Sequence, residues 1–411
     1  MNILFVSTEN PYPPDHGHHI RTYNVLKGLA ENNTIYFVGF AKNKAELKHK
    51  AAIEPLCASV DLFLIASGWR FYLSLFFNMF SSRPFITARY YKREAREKIR
   101  EILSKREIDL AHVDLLHVSR FHRDLRSVPK VLVNHNVESL RFFRRLKTES
   151  SILKKLYFYL QYYKLRRYES QITRQFDCCV VVSDTDQQVI AGLSGSHNFA
   201  VLPNGVDVEY FKANGTIPEP HSLIWVGSML SPYNADAVDY FLRDILPEIK
   251  KEIADLKVGF VGAAPTKLLR DKAARDPNLR IHGYVEDVRP YMEQASVFIA
   301  PMRSGSGTKI KVLNALAMRM PVVTTPVGAE GIEAVAGESI LIAEDALDFA
   351  NKTITLLRDA SLAEKLASNG RKVVEKFYDW KVIHAKTEEL YSNLTKTWAT
   401  TGSDSDLFSE G

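Results

Sequence analysis

Between Arg280 and Glu333 the chain reads, without a gap, as strand, helix, strand, glycine-rich turn, helix and strand. Strands alternating with helices point to a parallel sheet. In an open parallel sheet, ligands bind at the carboxyl ends of the strands. There a turn delivers backbone N–H groups and a helix N-terminus to negatively charged oxygens. The turn here is Arg303-Ser304-Gly305-Ser306-Gly307-Thr308-Lys309; it follows the apolar run Val297–Ala300 and opens a helix from about Ile310 to Met318 that ends before Pro321. Glycine lets backbone approach a phosphate closely, Thr308 can cap the helix, and Arg303 and Lys309 add positive charge, so a diphosphate suits the place. The turn matches neither the dinucleotide nor the P-loop fingerprint, and by spacing alone its glycines also fit an ordinary strand-to-helix turn.

The alternation occurs twice. Apolar runs at Asn2–Val6, Thr34–Phe40, Val60–Ile65, Leu110–Asp114, Lys130–Val133 and Cys178–Val182 are spaced by helical patterns. A second series follows at Leu223–Val226, Val258–Val261, Arg280–His282, Val297–Ala300, Val322–Thr324 and Ser339–Ile342. The expectation is α/β: two doubly wound, Rossmann-like domains over 1–202 and 221–378, joined by a polar, proline-bearing linker, 203–220, with a cleft between their carboxyl-end loops. A last helix over 379–398 and a small, polar, disordered tail over 399–411 complete the chain. A length of 411 residues, 46% of them apolar, suffices for two cores.

The first expected strand begins directly after Met1, leaving no room for a signal peptide. The three cysteines, Cys57 and the adjacent Cys178 and Cys179, offer neither a disulfide framework nor a zinc spacing, so a reducing cytoplasm is expected. Residues 1–200 carry 30 Lys+Arg against 19 Asp+Glu and the remainder 24 against 29, which suggests that the first half meets an anionic surface or substrate. From Arg141 to Arg167 nine cations accompany one acid, interleaved with aromatic residues from Phe142 to Tyr163. Such a stretch suits an anionic membrane surface, with part of the aromatic content in the core. The apolar run Phe71–Phe80 is too short to span a bilayer, so membrane attachment would be peripheral. Nucleic acid is not expected, for want of a motif.

Two further segments lie at expected strand ends. Asn10-Pro11-Tyr12-Pro13-Pro14-Asp15-His16-Gly17-His18-His19 follows the first strand; its histidines, without a partner carboxylate, are not expected to hold a metal. His135, in Val133-Asn134-His135-Asn136-Val137-Glu138, follows another. A neutral imidazole there can exchange a hydrogen bond with a ligand hydroxyl or handle a proton, or be satisfied by local backbone. Glu138 is a second candidate.

Four ordered blocks resemble the family 4 retaining glycosyltransferases, in particular their bacterial exopolysaccharide sugar-transferase branch. They are Gly283-Tyr284-Val285-Glu286-Asp287, Ala300-Pro301, Gly305-Ser306-Gly307-Thr308-Lys309, and Pro321-Val322-Val323 with Gly328-Ala329-Glu330-Gly331. The resemblance implies a GT-B fold whose terminal helix crosses back to the first domain. It further implies metal-independent, retaining transfer of a sugar from a nucleotide-diphosphate sugar, with no cofactor, to a saccharide or lipid-linked acceptor. Arg303, Lys309 and His135 would carry the chemistry, with Lys311 a third candidate cation behind Arg303 and Lys309. Gly17, Gly227, Tyr284, Val285, Ser306, Gly307, Thr308 and Asn314 would line the donor, and Arg21 and Thr22 follow the pattern near the transferred sugar. The sequence departs from the family where Ser228 and Tyr233 stand for an Arg and a Lys, where Ser306 and Asn314 stand for a pair of glutamates, and at Arg319, usually a small residue. A catalytically weakened GT-B scaffold, suggested by Asn314, and a nucleotide-sugar epimerase on the same fold remain alternatives.

Overall fold

The computed structural model describes residues 1–14, 17–66, 68–149, 151–305 and 307–401, with backbone alone at 70, 148 and 401. The chain divides into two compact units, Met1–Pro203 together with the chain from His384, and Asn204–Ile383.

The first unit is built on a parallel sheet of β1 (Asn2–Ser7), β2 (Thr34–Ala41), β3 (Ser59–Leu64), β4 (Leu110–Asp114), β5 (Lys130–Val133), β6 (Cys178–Val181) and β7 (Phe199–Val201). Their spatial order is β3-β2-β1-β4-β5-β6-β7, so the winding reverses between β1 and β4. Near-continuous apolar runs such as Ile3-Leu4-Phe5-Val6 form the central strands because helices cover both faces of the sheet. Phe5 sits in register with Phe37 on one side and His112 on the other, and its ring stacks on both. The edge strand β7 was not expected. The basic, aromatic residues 141–167 are divided between two helices, Glu138–Thr148 and Ile152–Thr173.

The second unit repeats the plan with β8 (Glu219–Val226), β9 (Lys257–Val261), β10 (Leu279–Gly283), β11 (Ala295–Ala300), β12 (Val322–Thr324) and β13 (Leu341–Ile342). The order is β10-β9-β8-β11-β12-β13, all parallel, with the reversal between β8 and β11. Its core is anchored by the fully buried Trp225, Phe241, Phe260, Phe298 and Phe349.

The last helix, Trp380–Thr401, starts in the second unit and continues in the first. Trp380 lies so close to Gly205 that a Cβ there would stand 2.5 Å from the indole, and His384 excludes a Cβ at Gly28 in the same way. Tyr391 is fully buried, with its hydroxyl 2.6 Å from His112 Nδ1. The helix runs to Thr401 rather than stopping at 398; the rest of the expected tail lies outside the described residues. Among the described residues no helix is long and apolar enough to cross a membrane.

Candidate functional site

A doubly wound sheet is open where its winding reverses, and in the second unit that point lies between the carboxyl ends of β8 and β11. From β8 the chain enters the Gly227-Ser228 turn and the helix Pro232–Tyr240; from β11 it enters the glycine-rich turn and the helix Ile310–Ala317. The two are joined by Lys311. Its Nζ donates to Asn234 Oδ1 at 2.6 Å and lies 4.0 Å from the centre of the Trp225 ring. Asn234 Nδ2 in turn donates to the Ser228 carbonyl at 2.7 Å. Gly227, at φ 155°, lets the turn pass close under Lys311: a Cβ there would stand 2.7 Å from Nζ. Burial, with Lys309 close by, pushes the Lys311 ammonium down to about 7. The sequence named Lys309 and Arg303 ahead of Lys311. The signal that pointed to all three was the loss of cations at Ser228 and Tyr233, which moves the charge to the glycine-rich turn and the helix after it.

The other expected donor-site residues are disposed as follows. Lys309 is buried, with Nζ donating to the Gly307 carbonyl at 2.7 Å and 3.8 Å from Glu330 Oε2. Arg303 is forked onto Asp236, at 3.2 Å from Nε to Oδ2, and its guanidinium lies 4.5 Å from the centre of the Tyr240 ring. Thr308 does not cap the helix: Lys309 takes the cap position without a side-chain bond to the first-turn amides, and the Thr308 hydroxyl instead lies 3.4 Å from the Gly331 carbonyl. The first-turn amides are therefore left without a side-chain cap. Gly307 adopts φ 67°, open to glycine at little cost. Asn314 is half-buried, and its amide makes no hydrogen bond among the described residues. Past β10, Gly283 turns the chain, Tyr284 stands 73% exposed and Val285 packs on the core. Ser306 lies outside the described residues.

In the first unit the corresponding reversal gathers side chains from the ends of β1, β4 and β5. His135 Nε2 lies 2.8 Å from Asp114 Oδ1, and Asp114 Oδ2 accepts from Thr22 Oγ1 at 2.7 Å and from Ser7 at 3.2 Å. Burial alone would raise the Asp114 carboxyl, but His135, His112 and His18 hold it well below the carboxylate range. An ionised Asp114 requires hydrogen on His135 Nε2, which leaves Nδ1 as an acceptor. That atom lies 3.2 Å from His18 Nδ1, and His18 Nε2 lies 3.1 Å from the Thr8 hydroxyl. Thr8, His18, His135 and Asp114 thus form one directed chain of hydrogen bonds. Burial pushes His18 down to about 3 and keeps it neutral.

The histidines after β1 therefore do have carboxylate partners, contrary to the sequence reading. Asp114 reaches His18 through His135, and Glu9 lies 3.4 Å from His19 and 3.7 Å from His18. His18, Asp114 and His135 are close enough to hold a metal ion, their ligand atoms lying within 4.8 Å of one another; the hydrogen bonds among them also satisfy the group without one. Gly17 opens the helix Gly17–Asn32 beside this array. Arg21 is buried and donates to the carbonyls of Pro203 and Leu202, both at 2.8 Å, so its work is to anchor the end of the first unit. Asp15 and His16 lie outside the described residues. A larger cavity, of about 610 Å³, sits at the amino ends of β11 and β12; its two arginines are occupied by Glu364 and by backbone carbonyls.

Two family models match the chain side by side: Glycosyltransferase Family 4 over residues 58–210 and Glycosyl transferases group 1 over residues 220–359. The chain belongs to the family 4, group 1 glycosyltransferases. It is 25% identical over 393 residues to an uncharacterized 44.6 kDa protein of the cps region of Klebsiella pneumoniae, covering 93% of this chain and 97% of that one. It is 26% identical over 206 residues to the capsular polysaccharide biosynthesis glycosyltransferase CapM of Staphylococcus aureus, covering 47% of this chain and 54% of CapM. Among solved structures, sucrose-phosphate synthase from Thermosynechococcus elongatus superposes with a TM-score of 0.70 at 17% identity, over 97% of this chain and 100% of that one. HepE of Anabaena, solved in complex with UDP, superposes at 0.67 and 14% identity over 96% and 100%. The fold is GT-B.

Proposed function

We propose that the protein transfers a sugar from a nucleotide-diphosphate sugar to a saccharide or lipid-linked saccharide in the assembly of a bacterial surface polysaccharide. The observation that carries this reading is the cation Lys311, held over the Gly227 turn where the β8–β11 reversal opens the sheet. A diphosphate there would meet Lys311, the uncapped amides of helix Ile310–Ala317 and the charge of Lys309 and Arg303. Fixed positive charge at the position of the departing phosphate oxygen favours the transition state over the ground state. Gly227, Gly307 and Thr308 would line the diphosphate, Tyr284 and Val285 the base, and Asn314, with its uncommitted amide, the ribose; Ser306 belongs to the same turn. The capsular relatives and the UDP complex of HepE support the substrate class.

In the first unit His135 would orient the transferred sugar beside Gly17. A hydroxyl reaching its Nδ1 would replace the contact to His18, while Asp114 keeps the tautomer. We take the transfer to retain configuration and to need no metal or cofactor; the leaving group would be balanced by side-chain cations and amides. The protein would act at the inner face of the membrane, through the exposed aromatic helix Trp69–Met79 and the start of helix Ile152–Thr173. The test is release of nucleoside diphosphate from nucleotide sugars, with product anomers read by NMR. Retained configuration and activity unchanged by chelator are expected. An inverted product or loss of activity on chelation contradicts the mechanism.

A further inference from the structure

Arg120 belongs to the segment Leu116–Asp124, and its guanidinium stands 4.0 Å from the centre of the Tyr91 ring. Among the described residues it makes no hydrogen bond and no ion pair. The carboxylate of the same segment, Asp124, is buried and already committed, to Arg96 at 3.2 Å, Arg100 at 2.6 Å and the Tyr91 hydroxyl at 3.1 Å. Arg83 and Arg123 are exposed and equally without an anion among the described residues. The helix Phe85–Ala88, which begins two residues after Arg83, packs on the segment that carries Arg120 and Arg123. Burial, followed by repulsion from Arg83 and more weakly from Arg123, pushes the Arg120 guanidinium below its ordinary value. It is only half-buried, so it stays open to a ligand. Arginine keeps its charge in a protein, and a partly desolvated guanidinium among like charges is a cost that a bound anion removes.

Grouped arginines suit an anion with several oxygens and more than one charge. A monoester phosphate carries nearly two charges at neutral pH, and the guanidinium fork fits its oxygens two at a time. What lies alongside favours a lipid as the source of that phosphate. Asn78 Nδ2 donates to the Arg83 carbonyl at 3.0 Å, and Lys164 Nζ to the Asn78 carbonyl at 2.8 Å, which ties Arg83 to the end of helix Trp69–Met79. Tyr168, one turn after Lys164 in helix Ile152–Thr173, has its hydroxyl 2.9 Å from that of Ser119, the neighbour of Arg120. The arginines and the exposed Phe77 and Phe80 are thus held by one stretch of the same helix. A molecule with an apolar tail and a phosphate head satisfies both groups, whereas a free phosphate satisfies only the arginines. We infer that Arg83, Arg120 and Arg123 form a site for the phosphate headgroup of a membrane lipid, selective for a monoester phosphate over other anions of equal charge. The site rests on the membrane attachment proposed above and adds a chemical preference to it.

The full chain is sedimented with two kinds of phosphatidylcholine vesicle, one containing phosphatidate and one containing a fatty acid at matched surface charge. Native protein is expected to bind the phosphatidate vesicles several-fold more tightly. Arg120→Gln and Arg123→Gln should each weaken that binding about fivefold, as loss of one basic residue at an anionic surface would. Arg120→Lys, which keeps the charge but not the fork, should lose the preference for phosphatidate; a merely electrostatic patch would tolerate it. The pair Phe77→Ser with Phe80→Ser should weaken binding to both vesicles alike and leave the preference in place. Thermal unfolding checks that the variants are folded, and the exposed Arg123 serves if the Arg120 variants are not. Equal binding of the native protein to the two vesicles, or a preference undiminished in the folded arginine variants, overturns the site while leaving membrane attachment standing. Glycerol 3-phosphate that competes at the same concentration as lipid phosphate overturns the lipid source. Failure to bind either anionic vesicle overturns the membrane reading itself, and the site with it.

Discussion

Lys311 and His18 show how the same burial sets two charges in opposite senses of usefulness. Lys311 is held near 7 by burial beside Trp225, with Lys309 adding repulsion, so at pH 8.5 the free protein carries it mostly neutral. A bound diphosphate restores its charge, and binding must then take up a proton. Donor affinity should fall as pH rises above 7, by about tenfold for each unit while Lys311 is the dominant group. Titration in buffers of different ionisation enthalpy reads the uptake, and Lys311→Met should abolish both the uptake and the slope. His18 acts on stability. Its folded value, about 3, lies below the ordinary 6.5, so the unfolded chain binds the extra proton between those limits. Stability is therefore present above pH 6.5 and is lost as pH falls toward 3, by an amount on the order of a few kcal/mol. His18→Gln should flatten the acid limb of the denaturation curve; a limb of unchanged steepness would show that His18 is not a source of it.

At the scale of elements, two local departures have structural reasons. Arg319, where the family usually has a small residue, closes helix Ile310–Ala317 with φ 54°, a left-handed conformation that costs a side-chain-bearing residue about 1–2 kcal/mol. Its ion pair with Glu364 is half-exposed and offsets little of that. Arg319→Gly should leave stability within about 1 kcal/mol of the native protein, while the β-branched Arg319→Val should lower it by about 1–2 kcal/mol, both read by denaturant unfolding. The second departure is the pair of aromatic helices. Asn78 holds Trp69–Met79 against Ile152–Thr173 through Gln161 at 3.1 Å and Lys164 at 2.8 Å. Phe77 is 62% and Phe80 80% exposed, with Ile152 and Leu153 exposed beside Lys154 and Lys155. Apolar side chains next to cations suit an anionic lipid interface. Phe77→Ser with Phe80→Ser should reduce sedimentation with anionic vesicles several-fold; equal binding by native protein to neutral vesicles would deny the role of the cations.

For the whole molecule, the two doubly wound sheets were legible because their central strands are buried on both faces and so read as unbroken apolar runs. β7, Phe199–Val201, was not: it is a short, half-buried edge strand without such a run. The glycine-rich turn was legible from residue type, but its partners were not. Lys311 is half-hidden in an amphipathic helix, and only packing brings it over Gly227. Asp114 reads as the last residue of a strand, and its bond to His135 belongs to the register of β4 against β5. Thr308 was read as a cap because local sequence favours it, yet its hydroxyl lies nearer to the Gly331 carbonyl. On the proposed function the second unit is a working donor site. Thermal unfolding against a panel of uridine, guanosine and thymidine diphosphate sugars tests it most directly, since a ligand bound only by the folded state must raise the transition. At a hundredfold excess over its dissociation constant, one member should add about 2.7 kcal/mol and shift the midpoint by a few degrees in native protein, and much less in Lys311→Met. A flat response across the panel, or an equal shift in Lys311→Met, would contradict the claim.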